Sequence, residues 1–345
     1  MSVHDRWNGA RRGDGRRWEV RWRDGDRQCK RRFDTRGQAD VFDAERRLGP
    51  APIVRALVTV DQLLDLWLST ITGLRPKTQD TYRLDARQVS LAFGSRLAAA
   101  VLPSEVQAWS SRDGLSASVR RRSLMKMRAA YKLGIADGKV SSDPTEGASL
   151  PKLTNEDMRF LSWSELRDLA DAAGESAALV WVLGTCGLRL GEALALEGTD
   201  VDRARHRLRV RKSYTVSSRG AQLGPTKGNQ ARDVPASQDV LDLLPRTFGP
   251  LFTGAKGGRL SPGFWRTSVF HPAAERAGLG DLHPHELRHT AASLAIASGA
   301  DVKVVQRMLG HKSATMTLDR YGHLWDGALD AVVERMNQAR RREIG

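Results

Sequence analysis

Near the start of the chain, apolar and charged residues alternate with a period of two across positions 18–23. This pattern places one set of side chains on each face of a β-strand. The alternating residues are Trp18, Val20 and Trp22 on one face and Glu19, Arg21 and Arg23 on the other. Asp24-Gly25 then indicates a hairpin turn, and positions 28–33 are predicted to form the partner strand. The exposed face of this sheet is expected to present Arg21, Arg23, Lys30 and Arg32.

A helix is predicted directly after the sheet. Thr35 and Gln38 form the pattern of a capping box, in which each side chain binds the backbone N–H of the other residue. The helix extends to about Leu48, where Gly49-Pro50 ends it. The N-terminal region is therefore expected to be a small sheet backed by one helix. Its basic face is a candidate DNA contact surface, with a merely solvated face as the alternative.

Four further helices are predicted before a linker. The first carries an apolar stripe at helical spacing, made up of Val60, Leu63, Leu64, Trp67, Leu68 and Ile71. Pro76 and Pro103 open the second and third helices, and Ser116 starts a fourth that extends to about Ala136. The fourth helix is basic, and its cations include Arg120, Arg121 and Lys126. These cations either lie along a duplex backbone or simply make the helix surface soluble.

A new region is predicted to begin near residue 155, because positions 138–157 have the Gly, Ser and Pro content typical of a linker. Ser162 and Glu165 form another capping box, and an apolar helix follows at 175–186. Short strands are predicted at 206–214, 222–226 and 231–234, followed by helices at 262–277, 284–298, 302–309, 315–321 and 327–341. The fold is therefore expected to be mixed and mainly α. It comprises a small N-terminal β-sheet plus helix module, a four-helix domain and an α-helical domain with a small antiparallel β-sheet.

Length and charge narrow the classes of function. At 345 residues the chain exceeds one ordinary core, so two or three domains are expected. The net charge of +15 and the pI near 10.4 indicate a polyanionic partner, of which nucleic acid is the common one. A generally basic composition is the alternative. No apolar run approaches the roughly 20 residues of a membrane helix, and the N-terminus lacks the apolar core of a signal peptide. Cys29 and Cys186 cannot form a thiolate zinc cage.

Two stretches of the last region carry basic residues at predicted turns. In the segment 187–192, Arg189 follows an apolar helix. Glu192 comes one turn later, where it can hold the guanidinium of Arg189. In the segment 225–228, Lys227 lies at the turn that follows a strand.

Two later stretches add histidines, a second arginine and a tyrosine. His285 and Arg288 are three residues apart on a predicted helix and therefore share one face. His311 follows Leu309-Gly310, and Tyr321 lies ten residues further along the chain.

The stretch 285–289 also fits the H-E-x-x-H pattern of zinc proteases. In that alternative His285 and His289 bind the metal, and Glu286 is the general base. Pro284, however, puts the motif in the first turn of a helix, and nothing downstream completes a recognised third-ligand motif. The zinc alternative also leaves the other basic residues and Tyr321 without a role. No metal is therefore expected.

Taken together, the four stretches resemble the tyrosine recombinases, the family of phage integrases and Xer-type enzymes. The resemblance is strong over about 155–325 and weaker before. The residues that carry it are, in order, Arg189, Lys227, His285, Arg288, His311 and Tyr321. The resemblance implies that Tyr321 attacks a DNA phosphodiester to give a 3′-phosphotyrosine and a free 5′-hydroxyl, and that recombination passes through a Holliday junction. Because the bond energy is kept, no cofactor is expected.

The two arginines suit this reaction. A phosphodiester gathers negative charge on its non-bridging oxygens during transfer. Arg189 and Arg288 present planar forks that bind such oxygens and stay charged at any working pH. Preorganised cations of this kind often supply the largest share of the rate enhancement. Glu192 is expected to support Arg189.

The remaining residues are expected to transfer protons or to hydrogen-bond the phosphate. A tyrosine has an ordinary pKa of about 10, so two cations and an acceptor such as His285 would help Tyr321 to ionise. Lys227 is the candidate general acid for the departing 5′-oxygen, and His311 is expected to hydrogen-bond the phosphate. His289 is expected to be a supporting, mainly structural residue.

The resemblance also implies an arm-type DNA-binding domain at 1–55, a helical core-binding domain at 58–145 and a catalytic domain at 155–345. The first domain favours a phage or mobile-element integrase over a Xer-type enzyme, which usually lacks it. The expected partners are double-stranded DNA at core-type and arm-type sites and a homotetramer coupled through the last helix. An excisionase or a DNA-bending protein is a further candidate, and the expected location is the bacterial cytoplasm. A DNA-binding protein of the same fold that no longer cleaves is the alternative.

Overall fold

The computed structural model describes residues 2–7, 16–24, 27–48, 57–112, 114–153, 158–226, 231–325 and 328–344. The chain divides into two compact units. The first comprises Met1–Thr72 and Tyr82–Leu153, and the second comprises Gly73–Thr81 and Thr154–Gly345. The fold is mainly helical with small antiparallel sheets, as predicted. In the part of the chain that is described, no helix has the length and apolar character needed to cross a membrane.

An antiparallel sheet and one helix form the N-terminal part of the first unit. The strands pair in the order β1 (Ser2–Asp5), β2 (Trp18–Asp24) and β3 (Arg27–Phe33), and helix α1 (Arg36–Leu48) follows. The two predicted strands and the helix are confirmed, whereas β1 has too few residues for its period to be recognised in the sequence. Thr35 and Gln38 make both bonds of the predicted capping box. The predicted turn was Asp24-Gly25; Asp24 is the last residue of β2, and Gly25 lies outside the described residues.

Glu19 lies on the charged face of the sheet with Arg21 and Arg32, as the alternation predicts. It is nevertheless only 2% exposed. Its carboxylate accepts bonds from Arg21 Nε at 2.7 Å and from Arg32 Nε at 3.0 Å. These two bonds lower the pKa of Glu19 to about 2. The face was predicted, but alternation does not reveal that two long arginines cover a carboxylate on it. Arg21, Arg23, Lys30 and Arg32 are exposed, as predicted.

Four helices follow, as predicted. They are α2 (Val60–Thr70), α3 (Pro76–Phe93), α4 (Pro103–Ser111) and α5 (Ala117–Ala136). Leu63, Leu124 and Met127 are fully buried in the core of this region. The hydroxyl of Tyr131 is also buried there and donates to the backbone oxygen of Ala98 at 2.9 Å.

The first part of the predicted linker packs against these helices. Val140 and Thr145 are buried, and Arg128 on α5 donates to both the side chain and the backbone oxygen of Thr145, at 3.1 and 2.8 Å. The stretch up to Leu153 therefore belongs structurally to the first unit. Residues 154–157 lie outside the described residues.

In the second unit, α7 (Ala177–Cys186) and α12 (Pro284–Ala297) pack on each other within one large core. The other helices are α6 (Trp163–Ala172), α8 (Leu190–Ala193), α9 (Gln238–Asp242), α10 (Pro262–Phe264), α11 (His271–Arg276), α13 (Val302–Leu309), α14 (Ala314–Tyr321) and α15 (Ala328–Ile344). The long helices were predicted to within a few residues. The predicted helix at 262–277 contains a π-helical segment, Trp265–Phe270.

The strands of this unit form two small sheets. β5 (Arg207–Val210) pairs with β4 (Val201–Asp202) and with β8 (Arg232–Pro235), while β6 (Lys212–Ser217) pairs with β7 (Gly220–Pro225). The single strand predicted at 206–214 is therefore wrong, because its two halves belong to different sheets. Strand propensity predicts an extended chain there, but it does not reveal that the pairing partner changes at Arg211.

Candidate active site

Arg189 enters the site through a tight turn. Gly187 ends α7 in the left-handed conformation, with φ of 66°, which residues bearing a Cβ adopt only at a cost. The turn is closely packed, since a Cβ on Gly187 would lie 2.7 Å from Leu309 Cδ2. Glycine therefore allows α7 to stop here and lets Arg189 serve as the N-terminal cap residue of α8.

Glu192 binds two guanidinium groups. Its Oε1 accepts from Arg189 Nη1 at 2.7 Å, as predicted, and its Oε2 accepts from Arg232 Nη2 at 2.7 Å. The side chain is almost fully buried. Burial by itself would raise the pKa of this carboxyl, but Arg232 and Arg189 outweigh it and hold the pKa below its ordinary value. Glu192 thus remains charged and fixes Arg189.

Arg288 ties two helix ends together. It is 3% exposed on α12. Its Nη1 donates to the backbone oxygen of Gly187 and its Nη2 to that of Leu309, both at 2.6 Å. Burial and the neighbouring charge of Arg189 lower the pKa of Arg288 to about 9, which still leaves the group protonated at neutral pH.

His311 follows the left-handed turn at Gly310, where φ is 67° and α13 ends. Its Nδ1 lies 2.9 Å from the hydroxyl oxygen of Thr317. Burial and the charge of Arg288 lower the pKa of His311 to about 4, so the ring is neutral at neutral pH. With Nδ1 engaged by Thr317, the other ring nitrogen, Nε2, is the one suited to bind a ligand.

Tyr321 is the last residue of α14 and is 1% exposed. Its hydroxyl lies 2.7 Å from Nδ1 of His289 on α12. Burial raises the pKa of Tyr321, and Arg288 acts in the opposite direction. Burial and the nearby His285 lower the pKa of His289 to about 4. A neutral imidazole and a protonated tyrosine therefore share this hydrogen bond at neutral pH.

The two histidines of the 285–289 stretch have different surroundings. His285 is exposed, with its ring centroid 4.8 Å from that of His289, whereas His289 is buried. Sequence reasoning suggested His285 as the acceptor near Tyr321 and gave His289 a supporting role. In the structure it is Nδ1 of His289 that lies within hydrogen-bond distance of the Tyr321 hydroxyl, at 2.7 Å.

Glu286, the residue that the zinc alternative needs as a base, caps the helix instead. Its Oε2 accepts the backbone N–H of His283 at 2.5 Å, which is the helix-starting arrangement expected from Pro284 in the first turn. Among the described residues, no group of three or more His, Cys, Asp and Glu side chains is arranged to hold a metal ion.

Lys227 lies outside the described residues. The preceding Thr226 is buried directly after β7. The candidate DNA-binding residues of α5 make contacts within the first unit. Arg120 and Arg121 donate to the backbone oxygens of Arg112 and Pro151, and Lys126 Nζ lies 4.0 Å from the centre of the Tyr82 ring.

Arg232 is the residue that sequence reasoning missed. Its side chain is 9% exposed, and it joins Glu192 to the end of α13. A signal was available, because Arg232 lies two positions before the fully buried Val234 on strand β8. An arginine two positions from a core residue of a strand lies on the same face and therefore points to a structural or functional partner.

Comparison with known families matches residues 159–327 to the phage integrase family. The tyrosine recombinase XerC of Mycobacterium sp. (strain KMS) is 30% identical over 303 residues, covering 78% of this chain and 95% of the relative. The tyrosine recombinase XerD of Corynebacterium glutamicum is 32% identical over 247 residues, covering 63% of this chain and 76% of the relative.

Solved structures share the fold. An integrase of the Tn1549 transposon, in complex with a circular intermediate DNA, aligns with a TM-score of 0.68 at 20% identity, covering 80% of this chain and 99% of that one. A lambda integrase dimer bound to a core site aligns with a TM-score of 0.61 at 20% identity, covering 75% and 97%. The family match, the relatives and the fold agree, and the chain belongs to the tyrosine recombinases, enzymes that transfer DNA strands.

Proposed function

We propose that this tyrosine recombinase is a site-specific integrase of a phage or another mobile element. It cuts and rejoins DNA through a 3′-phosphotyrosine at Tyr321 and a Holliday junction. The observation that supports this best is the pair of hydrogen bonds that Arg288 donates to two backbone oxygens. One bond goes to Gly187, two residues before Arg189, and the other to Leu309, two residues before His311. A single buried guanidinium thus holds together the two turns that present the other phosphate-binding candidates.

The arrangement suits a phosphodiester. Arg189 and Arg288 supply positive charge and N–H donors for the non-bridging oxygens, which gather charge as the bond to the leaving oxygen breaks. Because Arg288 makes its backbone bonds through Nη1 and Nη2, its guanidinium is held rigidly, and little reorganisation is needed when the phosphate binds. His311 is neutral and bound to Thr317 through Nδ1. Its Nε2 donates a further hydrogen bond to an oxygen of the phosphate.

Proton transfer involves two further groups. Neutral His289 accepts the proton of the Tyr321 hydroxyl in the tautomer whose Nδ1 carries no hydrogen. Arg288 stabilises the tyrosinate against the opposing effect of burial. Lys227 gives a proton to the departing 5′-oxygen, and the reverse steps rejoin the strand. His285, which is exposed, remains in the proposal as a group near the phosphate.

The buried nucleophile implies a conformational step. At 1% exposure, the Tyr321 hydroxyl cannot reach a phosphate unless the end of α14 shifts. The 3₁₀ turn Gly322–Trp325 follows directly after Tyr321, and this short element is the natural place for the backbone to adjust. DNA binding would thus turn the Tyr321 oxygen toward the phosphate while Nδ1 of His289 stays within reach of the hydroxyl proton.

The same proposal covers the rest of the chain. Residues 1–55 bind arm-type DNA through Arg21 and Arg23, residues 58–145 bind core-type DNA through Arg120, Arg121 and Lys126, and residues 155–345 cleave. The enzyme acts as a homotetramer on DNA. α15 couples protomers through exposed apolar residues such as Val333 and Met336. An excisionase or a DNA-bending protein determines whether the enzyme integrates or excises the element. The enzyme acts in the bacterial cytoplasm.

A covalent trap tests the proposal. A nicked core-site duplex loses the short strand after cleavage, so the wild-type chain should remain attached to DNA, and Tyr321→Phe should not. Adduct formation by Tyr321→Phe would show that the nucleophile is assigned wrongly. Binding without an adduct by the wild type would favour the non-cleaving alternative.

A Xer-type recombinase, which acts in chromosome dimer resolution, is the second candidate. The observation in its favour is the 30% identity to XerC over 95% of that relative. The N-terminal sheet with its exposed basic residues favours the integrase instead. The two differ in whether one chain bridges two kinds of DNA site. If the full chain bridges a core-site duplex and a separate arm-site duplex, the integrase is supported. If it binds one kind of site alone, the Xer-type enzyme is supported.

A further inference from the structure

Arg232 connects two parts of the site that are far apart in sequence. Its Nη2 donates to Glu192 Oε2 at 2.7 Å, and its Nε donates to the backbone oxygen of Met308 at 2.9 Å. The other carboxylate oxygen of Glu192 holds Arg189 Nη1 at 2.7 Å. A continuous series of charge-assisted hydrogen bonds therefore runs from Arg189 to the end of α13.

Two arginines donate hydrogen bonds to backbone oxygens at the C-terminal end of α13. The backbone oxygen of Met308 accepts from Arg232, and that of the next residue, Leu309, accepts from Arg288. The C-terminus of a helix carries unpaired carbonyls and a partial negative charge, so guanidinium groups stabilise it well. Two cations from separate elements, β8 and α12, thus fix the helix end that leads into His311.

Gly310 packs directly on the Arg232 side chain. A Cβ added to Gly310 would lie 3.1 Å from Cδ and from Nη1 of Arg232. The backbone amides of Gly310 and His311 donate to the backbone oxygens of Arg307 and Gln306. The turn is therefore held by two kinds of contact: packing against the Arg232 side chain and backbone hydrogen bonds to the last turn of α13.

From these contacts we infer that Arg232 is a positioning residue for strand cleavage, which sets the place of Arg189 relative to His311. The inference rests on the proposed function of that site. Arg232 acts through Glu192 and Met308 rather than on the phosphate. A lysine keeps the charge but lacks the planar fork that serves two acceptors in different directions. Charge alone is therefore not sufficient.

Arg232→Lys in the full chain tests this inference against Arg203→Lys. Arg203 is a matched control, because it is a partly buried arginine that donates to two backbone oxygens, those of Leu241 and Leu244. Single-turnover adduct formation on the nicked duplex should be roughly 10- to 100-fold slower in Arg232→Lys at saturating DNA. DNA affinity should change little. Arg203→Lys should cleave at the wild-type rate even if it melts at a lower temperature.

A structural readout makes the test independent of activity. Hydrogen exchange at the amides of Gly310 and His311 should be faster in Arg232→Lys than in the wild type, and unchanged in Arg203→Lys. If the wild type forms no adduct, the proposed function fails, while hydrogen exchange still decides whether Arg232 holds the turn. The inference is overturned if Arg232→Lys exchanges the amides of the turn at the wild-type rate. It is also overturned if Arg232→Lys forms the adduct as fast as Arg203→Lys.

Gly310→Ala provides a second variant in case Arg232→Lys does not fold. It keeps Arg232 but forces the turn away from the guanidinium. Gly174→Ala is the control, because Gly174 also has a positive φ, of 56°, with nothing within 4 Å of an added Cβ. Slower cleavage in Gly310→Ala alone supports the inference. Equal cleavage rates in the two variants contradict it.

Discussion

Nδ1 of His289 lies 2.7 Å from the hydroxyl oxygen of Tyr321, although the two residues are 32 positions apart. Both side chains are buried. The histidine is neutral at neutral pH because burial lowers its pKa to about 4, so its ring can accept a hydrogen bond in one tautomer. This contact gives His289 a direct relationship to the proposed nucleophile, which its position in the motif does not reveal.

The first prediction concerns that contact. His289→Ala should slow adduct formation by roughly 100-fold, the low end for a general base, because Tyr321 loses its acceptor. His285→Ala should have a smaller effect. The measurement is the rate of adduct formation on the nicked duplex. His283→Ala is the control, since His283 is exposed at the start of the same helix. A larger loss in His285→Ala than in His289→Ala would restore His285 as the acceptor.

The second prediction concerns pH and stability. The pKa of His289 is about 4 in the folded protein, and that of an unfolded histidine is about 6.5. Between these values the unfolded chain binds more protons, so stability falls as the pH is lowered from about 6.5 to about 4. His289→Asn removes this titration. Its free energy of unfolding, measured in denaturant at a series of pH values, should therefore fall less steeply over that window. An identical slope in both proteins would contradict the assignment.

Local signals predicted the helices well. Thr35 with Gln38 and Ser162 with Glu165 are capping boxes whose bonds are present. Such bonds join residues three apart, so the sequence contains the whole interaction. The predicted contact between Arg189 and Glu192 has the same spacing, and it is also present.

Long-range contacts explain what the sequence did not reveal. Arg232 meets Glu192 across 40 positions, and its other partner, Met308, is 76 positions away. The splitting of 206–214 between two sheets and the choice between His285 and His289 likewise depend on where distant segments pack. Periodicity specifies a face, but the neighbour on that face is determined by the tertiary fold.

The third prediction concerns the turn before Arg189. Gly187→Ala should lower both stability and cleavage rate, because the added Cβ would lie 2.7 Å from Leu309 and would displace the carbonyl that binds Arg288. Gly278→Ala is the control. Gly278 has φ of 71° and open space at the Cβ position, so only the left-handed conformation is penalised, by about 1 kcal/mol. Denaturant unfolding and the adduct assay should separate the two variants. Equal losses of stability would contradict the close packing at Gly187.

The last prediction concerns the N-terminal sheet. Arg21 and Arg32 are partly neutralised by Glu19, whereas Arg23 and Lys30 are exposed and form no ion pair among the described residues. If this face binds DNA, Arg23→Gln with Lys30→Gln should reduce the slope of log affinity against log salt by roughly 2, since each phosphate contact contributes about 0.9.

Arg36→Gln is the matched control for that experiment. Arg36 is an exposed arginine of α1 that pairs with Asp40 at 3.6 Å. Its loss should leave the slope unchanged, because its charge is already shared with a carboxylate outside the proposed surface. The measurement is titration of full-length protein onto arm-site duplex at several salt concentrations. If each removed charge lowers the slope equally in the two variants, the chain responds to net charge alone, and the sheet then has no specific role in DNA binding.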